Sequence, residues 1–426
     1  MAGNGSFPPD RVFWLFLSQV LSVGGSCREA VRKFLAWLAL SEDRTASPNT
    51  AAYCKARARL PLADLQKVHR KVVKAIASAP PQALLCHARP VKVVDGSSGS
   101  MPDTPKNQQA YPQHKGQKPG CGFPILRFVG LFSLFTGVLI GWATGNLHSS
   151  ERSLFRRLWD LLCSGDILLG DCGFTSFADI YLLHLAGVDC VLRNHQSRKR
   201  GLQTVKSLGR GNRLVRWFKG SSCPKGMDKG LWRSLPDSLL LREFTFTAPV
   251  RGRRTQTFVI ATTLTDCKAF PKRDLVALYH HRWQAELYFR YIKVALHMDP
   301  LTCRSPAMIE KELALCFIAY NLIRAVMLQA ALRHDLSPWR ISFQGAVSTL
   351  KTWAPHLASP LLSPQHRKRL TELLFLYLAR DPVPLRPGRH EPRARKRRPK
   401  NYQLLTQPRH LFVEIPHRNK YKRGLS

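Results

Sequence analysis

Two short apolar runs that each lead into an aspartate and a glycine constrain the fold of this chain most. Residues 91–96 read VKVVDG and residues 167–173 read ILLGDCG. Each run is typical of a buried strand, and Asp95 or Asp171 at its carboxyl end would be held rigidly with its oxygens in a crevice. A turn or helix cap explains either aspartate alone equally well, so the repetition is what favours a shared site.

The segments around these aspartates alternate between strand and helix patterns, which predicts a mixed α/β layer structure. The residue pattern changes after residue 195, where Arg, Lys, Gly and Ser are frequent and strand-like patches recur. This stretch predicts an inserted β-rich unit. The predicted strands lie at 91–94, 123–133, 137–144, 166–170 and 189–192, and the predicted helices at 151–163 and 177–186.

The charge of the chain indicates a polyanionic partner. There are 66 Lys and Arg residues against 27 Asp and Glu residues, a net charge of +39. A surface so positive repels itself unless a polyanion lies against it, so we expect nucleic acid rather than a membrane. The basic helices before residue 88 and the Arg-rich run at 386–400 suit contact with phosphates, although a solvated face explains any single helix equally well.

The cysteines indicate an intracellular protein. The chain has 11 of them, an odd number without a C-x-x-C pair, and 426 residues need no disulfide framework. The apolar stretch at 12–23 lacks the flanks of a signal peptide, and the one at 125–144 is better explained by a hairpin of buried strands. We therefore expect a cytoplasmic, nucleoid-associated protein with no membrane contact.

Paired carboxylates at neighbouring strand ends would repel each other unless a cation lies between them. A third acid comes from the predicted helix at 274–296, where Tyr279, Arg282, Glu286 and Lys293 fall within about 60° of one face. For this helix alone, an ordinary surface ion pair between Arg282 and Glu286 is the better explanation.

The residues together resemble the DDE transposases of bacterial insertion sequences, specifically the insertion-sequence-four group. The helix has that group's Y-x2-R-x3-E-x6-K pattern. The stretch VVDGSSGSMPDTPKNQQAYPQ is similar to its first-aspartate region, and GDCGF to its second. The resemblance extends over most of the chain, into the basic stretch EPRARKRRPKNYQLLTQPR.

This resemblance implies a ribonuclease-H-like catalytic fold, a mixed sheet with flanking helices, a β-rich insertion and a helical N-terminal domain. The 115 residues between Asp171 and Glu286 leave room for the insertion. The predicted units are a helical DNA-binding domain at 1–88, the catalytic core at 89–194 and 257–300, the insertion at 195–256, a helical region at 301–385 and a basic tail at 386–426.

Carried over by motif, Asp95, Asp171 and Glu286 are the DDE triad and the metal ligands. Two Mg²⁺ ions, with Mn²⁺ as a substitute, would activate the nucleophile and stabilise the leaving oxygen. Arg282 and Lys293 would hold phosphates beside the scissile bond, and Tyr279 would donate its hydroxyl or stack. The predicted reaction is cut-and-paste transposition by a homodimer, acting on terminal inverted repeats and target DNA.

Hairpin intermediates, which the resemblance implies, need an aromatic side chain to receive a flipped base. Trp217 and Trp232 in the insertion are the candidates, although core packing is the favoured role for each. Asp103 is a weaker fourth acid, for which a turn is the favoured role. Two other functions stay open at this point: a metal-dependent nuclease without strand transfer, and a catalytically silent DNA-binding protein.

Overall fold

A nine-stranded sheet forms the centre of the computed structural model. The structure describes residues 7–22, 24–42, 46–77, 85–195, 202–224, 226–248, 256–359, 361–384, 407–408 and 411. The strands stand in the order β3-β2-β1-β4-β5-β9-β8-β7-β6. Their bounds are β1 Val91–Ser100, β2 Ile125–Ser133, β3 Leu139–Asn146, β4 Ile167–Gly170, β5 Asp189–Arg193, β6 Leu202–Ser207, β7 Asn212–Phe218, β8 Ser238–Ala248 and β9 Gln256–Thr262.

The first five strands have the arrangement of a ribonuclease-H-like fold. Strands β1, β2 and β3 form an antiparallel meander, β4 lies parallel to β1 on its other side, and β5 lies parallel to β4. The predicted mixed α/β fold is confirmed.

The strands of the predicted insertion extend this same sheet. Strand β9 pairs antiparallel with both β5 and β8, and β7 and β6 follow outward. The insertion is therefore continuous with the core through hydrogen-bonded strands. The domain boundaries at 88, 194, 256, 300 and 385 stay predictions, and the basic tail at 386–426 lies almost wholly outside the described residues.

Helices cover both faces of the sheet. Val93 of β1 belongs to a large apolar cluster with the helices at 284–290 and 306–333, whereas Val94 belongs to a second cluster with the helices at 151–156 and 177–185. The helix bounds are α1 Pro9–Leu21, α2 Cys27–Glu42, α3 Thr50–Arg59, α4 Leu62–Ala77, α5 Pro105–Ala110, α6 Glu151–Arg156, α7 Phe177–Leu185, α8 Lys229–Ser234, α9 Lys272–His280, α10 Gln284–Arg290, α11 Pro306–Arg333, α12 Phe343–Leu357 and α13 Pro364–Ala379.

Helix α11 joins the N-terminal helices to the sheet. It is long and apolar enough to cross a membrane, but 78% of its most apolar stretch is buried inside the protein, as in a core helix. Its Asn321 is buried. The Asn321 side chain accepts a hydrogen bond from Leu139 N (2.9 Å) and contacts His69 Nε2 of α4 (3.0 Å). Burial lowers the pKa of His69 to about 4, so this link is made by a neutral imidazole.

The segment predicted as a helix at 274–296 is helical without a break over residues 272–295, but it changes helix type along its length. Helix α9 passes into a 3₁₀ turn at His281–Trp283, and α10 passes into a π turn at Tyr291–Ala295. The π turn closes with a hydrogen bond from Leu296 N to Tyr291 O, and the Tyr291 ring stacks on Phe343 at 4.6 Å. Because each turn changes the angle per residue, the four motif side chains do not share one regular helix face.

Candidate active site

The strand register brings the two aspartates to one edge of the sheet. Strands β1 and β4 are parallel neighbours, and Val93 lies opposite Leu169. Asp95 and Asp171 each follow two residues later, so both lie at the carboxyl end of this strand pair. The expectation that the two strand–Asp–Gly segments meet is therefore confirmed as geometry.

Asp95 is held in a buried and repulsive environment. Its side chain is 16% exposed, and its Oδ1 accepts a hydrogen bond from Gly96 N (2.9 Å). Burial raises the pKa of Asp95 to about 6, with a further increase from the charges of Asp171 and Glu286, while Arg282 and the Gly96 amide oppose the shift. A carboxylate in this setting needs a positive partner to stay ionised.

Asp171 combines the two roles that the sequence left open for it. It is the N-cap of a 3₁₀ turn at Cys172–Phe174, where its Oδ1 accepts a hydrogen bond from Gly173 N (2.8 Å). Its charge also acts on Asp95, across the strand pair. The cap fixes the side chain and uses one of its two oxygens.

Glu286 reaches the same edge from α10. One turn later, the Phe289 ring packs edge-on against Phe132 at 5.1 Å and Phe128 at 5.5 Å, which fixes the helix on the sheet. The Glu286 carboxylate is 40% exposed and accepts a hydrogen bond from Arg282 NH2 at 2.8 Å.

Arg282 lies between two of the three acids. Its NH2 donates to Glu286, and its NH1 is 4.0 Å from Asp95 Oδ2. Its side chain is only 16% exposed, so the pair is not the exposed surface ion pair that the helix alone favoured. Burial opposes the charge on Arg282, but the hydrogen bond that it donates to Glu286 and the neighbouring acids raise its pKa overall.

Tyr279 and Lys293 tether this helical segment to the strands. The Tyr279 hydroxyl donates to Gly170 O (3.5 Å), directly before Asp171, and burial raises its pKa. The ring is 7% exposed, so the predicted stacking of Tyr279 on DNA is corrected, because a buried ring has no face to offer. Lys293 Nζ donates to Ser98 O (2.8 Å) and pairs with Asp299 Oδ2 (3.1 Å).

The two tryptophans proposed for base stacking are core residues. Trp217 is 0% exposed and its indole N–H donates to Glu243 Oε1 (3.1 Å). Trp232 is 8% exposed and packs near Phe177, with ring centroids 6.3 Å apart. Packing is therefore the role that the structure gives both, and the stacking hypothesis for them is corrected. Asp103 accepts a hydrogen bond from Gln108 Nε2 (2.8 Å), which fits the turn role.

Trp283 is an exposed aromatic residue of this segment that the sequence analysis did not single out. It is 60% exposed and lies three residues before Glu286, immediately after Arg282. The signal was its position inside the Y-R-E-K segment rather than in the insertion. An exposed indole beside the acids is suited to stacking on a nucleic acid base.

The three acids supply the oxygen donors that Mg²⁺ or Mn²⁺ prefers. As the side chains stand, no group of three or more His, Cys, Asp or Glu residues within the described ranges is arranged to hold one metal ion. Arg282 provides the positive charge between Asp95 and Glu286 in this arrangement. A cation would have to take over that position as the carboxylates turn toward it.

Comparison with known proteins places this geometry in a family. A family model described as the transposase DDE domain matches residues 87–322, more than half of the chain. The chain belongs to the DDE transposase family. It is 28% identical over 358 residues to transposase InsG for insertion sequence element IS4 from Escherichia coli (strain K12), which covers 83% of this chain and 77% of that protein. Because this relative is the transposase of element IS4, the match supports the assignment to the insertion-sequence-four group.

A cryo-EM structure of a piggyBac transposase synaptic complex with hairpin DNA is also similar, with 9% identity and a TM-score of 0.44 over 86% of this chain and 76% of that one. As a DDE transposase, the protein is an enzyme that cleaves and transfers DNA strands. Enzymes with this domain use divalent metal ions, and their partner is DNA.

Proposed function

We propose that this DDE transposase moves an insertion sequence by a cut-and-paste reaction. It would recognise terminal inverted repeats, hydrolyse phosphodiester bonds at the ends of the element and join the 3′ ends to target DNA. One observation carries the proposal: Asp95, Asp171 and Glu286 converge at one sheet edge, where burial and mutual repulsion raise the pKa of Asp95 to about 6. Such an arrangement disfavours three bare carboxylates and favours cation binding.

Asp95, Asp171 and Glu286 would hold two divalent cations, Mg²⁺ with Mn²⁺ as a substitute. The bound cations would lower the pKa of the attacking water and neutralise charge on the leaving oxygen. The oxygen donor set supports this assignment over zinc, which prefers nitrogen and sulfur ligands. The Gly96 and Gly173 amides keep the two aspartates in place through hydrogen bonds of 2.9 and 2.8 Å.

The neighbouring side chains would position the DNA. Arg282 is held beside Asp95 and Glu286, so its guanidinium is placed to bind a phosphate once Glu286 turns away. Lys293 would bind a flanking phosphate after exchanging its Asp299 partner. The exposed Trp283 would receive a flipped base if hairpin intermediates form at the element ends. A homodimer would hold the two ends together, in the cytoplasm and on the nucleoid.

The test is a cleavage and joining assay with a labelled DNA fragment that spans one junction between the element and its flanking DNA. With Mg²⁺, wild type should cut at the junction and join the 3′ end to a second DNA. The matched variants Asp95→Asn, Asp171→Asn and Glu286→Gln should bind the fragment but neither cut nor join it. Cleavage without joining would favour a nuclease, and binding without cleavage a silent DNA-binding protein. Full activity in all three variants would contradict the proposed site.

A further inference from the structure

Glu151 approaches the acidic edge from the face of the sheet opposite to Glu286. It is the first residue of α6, whose start is fixed by Ser150, a side-chain cap that accepts a hydrogen bond from Ser153 N (3.0 Å). Helix α6 belongs to the apolar cluster of Val94, whereas α10 belongs to the cluster of Val93. The strand ends that carry the two aspartates therefore have one glutamate on each face.

Because Gly96 of β1 has no side chain, there is room beside the strand for the Glu151 carboxylate. A methyl group placed on Gly96 would overlap the carboxyl group of Glu151 and lie 2.6 and 2.8 Å from its two oxygens. Any other residue at this position would push the carboxylate away from the strand. The carboxylate is thus held against β1 one residue after Asp95.

The partners of Glu151 differ from those of the structural acids nearby. Asp166 pairs with Lys92 at 2.5 Å, and Asp179 pairs with Arg156 at 2.8 Å. Across the described part of the chain, the Glu151 carboxylate accepts no hydrogen bond and forms no ion pair within 4.0 Å. Burial raises the pKa of Glu151, the charge of Arg127 opposes this increase, and the charge of Asp171 adds a smaller increase of its own.

The carboxylate remains accessible from outside. It lines a surface cleft of about 430 Å³ together with Arg127, Arg152, Ser150 and Gly173. The two arginines are held in the cleft wall by backbone carbonyls, since Arg127 NH1 donates to Ser149 O (2.9 Å) and Arg152 Nε to Gly173 O (3.3 Å). A cation in this cleft would meet the Glu151 carboxylate and the backbone of Gly173, two residues after Asp171.

We propose that Glu151 is a fourth carboxylate of the metal centre, a ligand of the divalent cation that Asp171 would hold. The inference rests on the proposed function, because it assumes that the three motif acids bind divalent cations. It adds a residue outside the Y-R-E-K segment and the two strand–Asp–Gly segments. It also explains why glycine follows Asp95 on β1.

Binding of Mn²⁺ to the full-length protein without DNA, followed by electron paramagnetic resonance of the free ion, tests this directly. The variants are Glu151→Gln, which preserves shape, and Asp160→Asn, a matched loss of one negative charge at an exposed position nearby. Glu151→Gln should weaken binding of one Mn²⁺ ion by about 10–100-fold, while Asp160→Asn should bind like wild type. Unchanged Mn²⁺ binding in Glu151→Gln would overturn the inference.

A second variant separates a ligand from a packing residue. Gly96→Ala should weaken Mn²⁺ binding in wild type but cause no further loss in the Glu151→Gln background, because both changes remove the same carboxylate. In the absence of metal, Glu151→Gln should melt no lower than wild type, since it relieves repulsion from Asp171. A lower melting temperature together with additive losses in the double variant would show a structural role and overturn the inference.

If the proposed function itself is wrong, the Mn²⁺ binding measurements give a different pattern. If neither wild type nor any variant binds Mn²⁺, or if Asp171→Asn binds it like wild type, the metal centre itself is wrong. If Asp171→Asn loses Mn²⁺ and Glu151→Gln does not, only the fourth ligand is wrong.

Discussion

Two carboxylates in the same sheet, one buried and one partly buried, have opposite surroundings. Glu243 on β8 is 2% exposed and accepts hydrogen bonds from Asn194 Nδ2 (3.0 Å), Trp217 Nε1 (3.1 Å) and Arg213 NH2 (2.8 Å). Asp95 on β1 has a hydrogen bond from the neighbouring Gly96 amide and a guanidinium 4.0 Å away, and two other acids act on it.

The difference distinguishes a structural acid from the proposed metal ligand. Burying a carboxylate is costly unless its oxygens are paired, and the Glu243 network meets that requirement within the protein. Asp95 has only the Gly96 amide and a guanidinium 4.0 Å away, so its carboxylate is less well paired within the protein than that of Glu243. A divalent cation is the partner that matches its charge and its oxygen donors.

The comparison predicts that the functional acid can be removed with large loss of activity and no loss of stability. Asp95→Asn should reduce DNA cleavage by about 10³-fold or more, since a bound metal contributes several kcal/mol to the transition state. Without metal at pH 8, the same variant should melt at or above the wild-type temperature, because repulsion is relieved. Cleavage assays and calorimetry on one preparation measure both. A lower melting temperature of Asp95→Asn would contradict the claim that Asp95, unlike Glu243, does not stabilise the metal-free protein.

Removing the structural acid should give the reverse result. Glu243→Ala leaves the donors of Asn194, Trp217 and Arg213 without their acceptor and should lower the free energy of unfolding by about 3 kcal/mol. Urea denaturation followed by tryptophan fluorescence measures the change. Asp237→Ala is the control, because its side chain is 98% exposed and its removal should change stability by less than about 0.5 kcal/mol. Equal effects of the two substitutions would contradict the assignment of Glu243.

The raised pKa of Asp95 gives a pH test of the same contrast. Its folded-state pKa of about 6 lies above the usual 3.8, so the folded protein holds this proton more tightly than the unfolded chain. The stability that the proton contributes is present at low pH and is lost as the pH rises through about 6. In metal-free protein, the melting temperature of wild type relative to Asp95→Asn should therefore fall by roughly 2–4 °C between pH 4 and pH 7.

Metal binding should show the matching dependence. Because the cation competes with the proton, the Mn²⁺ affinity of wild type should fall about tenfold for each pH unit below 6. A pH-independent affinity between pH 5 and pH 7 would contradict the pKa of Asp95.

The smallest predicted effects concern the tryptophans on the two sides of the comparison. Trp283→Ala removes an exposed indole. It should reduce the permanganate reactivity of the unstacked terminal base by about tenfold without changing the melting temperature. Trp217→Phe removes the N–H that Glu243 accepts and should cost about 1–2 kcal/mol of stability while leaving DNA cleavage per folded molecule unchanged. A permanganate footprint of the terminal base and a melting curve distinguish the two. The account fails here if Trp217→Phe alters the footprint and Trp283→Ala does not.

The strand–Asp–Gly segments were predictable from the sequence because their signal is local. An apolar run identifies a strand, and parallel neighbours place Asp95 and Asp171 at one edge. Glu286 was predictable only through the resemblance, since its spacing to Arg282 equally describes a surface ion pair. The structure contains an Arg282–Glu286 ion pair, but it sets the largely buried guanidinium beside Asp95 rather than on an exposed surface.

The remaining features depend on contacts between distant parts of the chain. The burial of Tyr279 follows from its contacts with Gly170 of β4 and Phe246 of β8, which composition and spacing do not reveal. The π turn at Tyr291–Ala295 accompanies stacking on Phe343, about 50 residues later. Glu151 meets β1 only because Gly96 leaves space for it, a relation between two elements that neither segment shows alone.

The most direct test of the metal centre is iron-directed cleavage of the polypeptide. Fe²⁺ with ascorbate and peroxide cuts the backbone next to the side chains that bind the ion, and mass spectrometry locates the cuts. We predict cuts beside Asp95, Asp171 and Glu286 in one protein, all suppressed together by excess Mg²⁺. Cuts at only one of these residues, or cuts that Mg²⁺ leaves unchanged, would contradict a shared site for divalent cations.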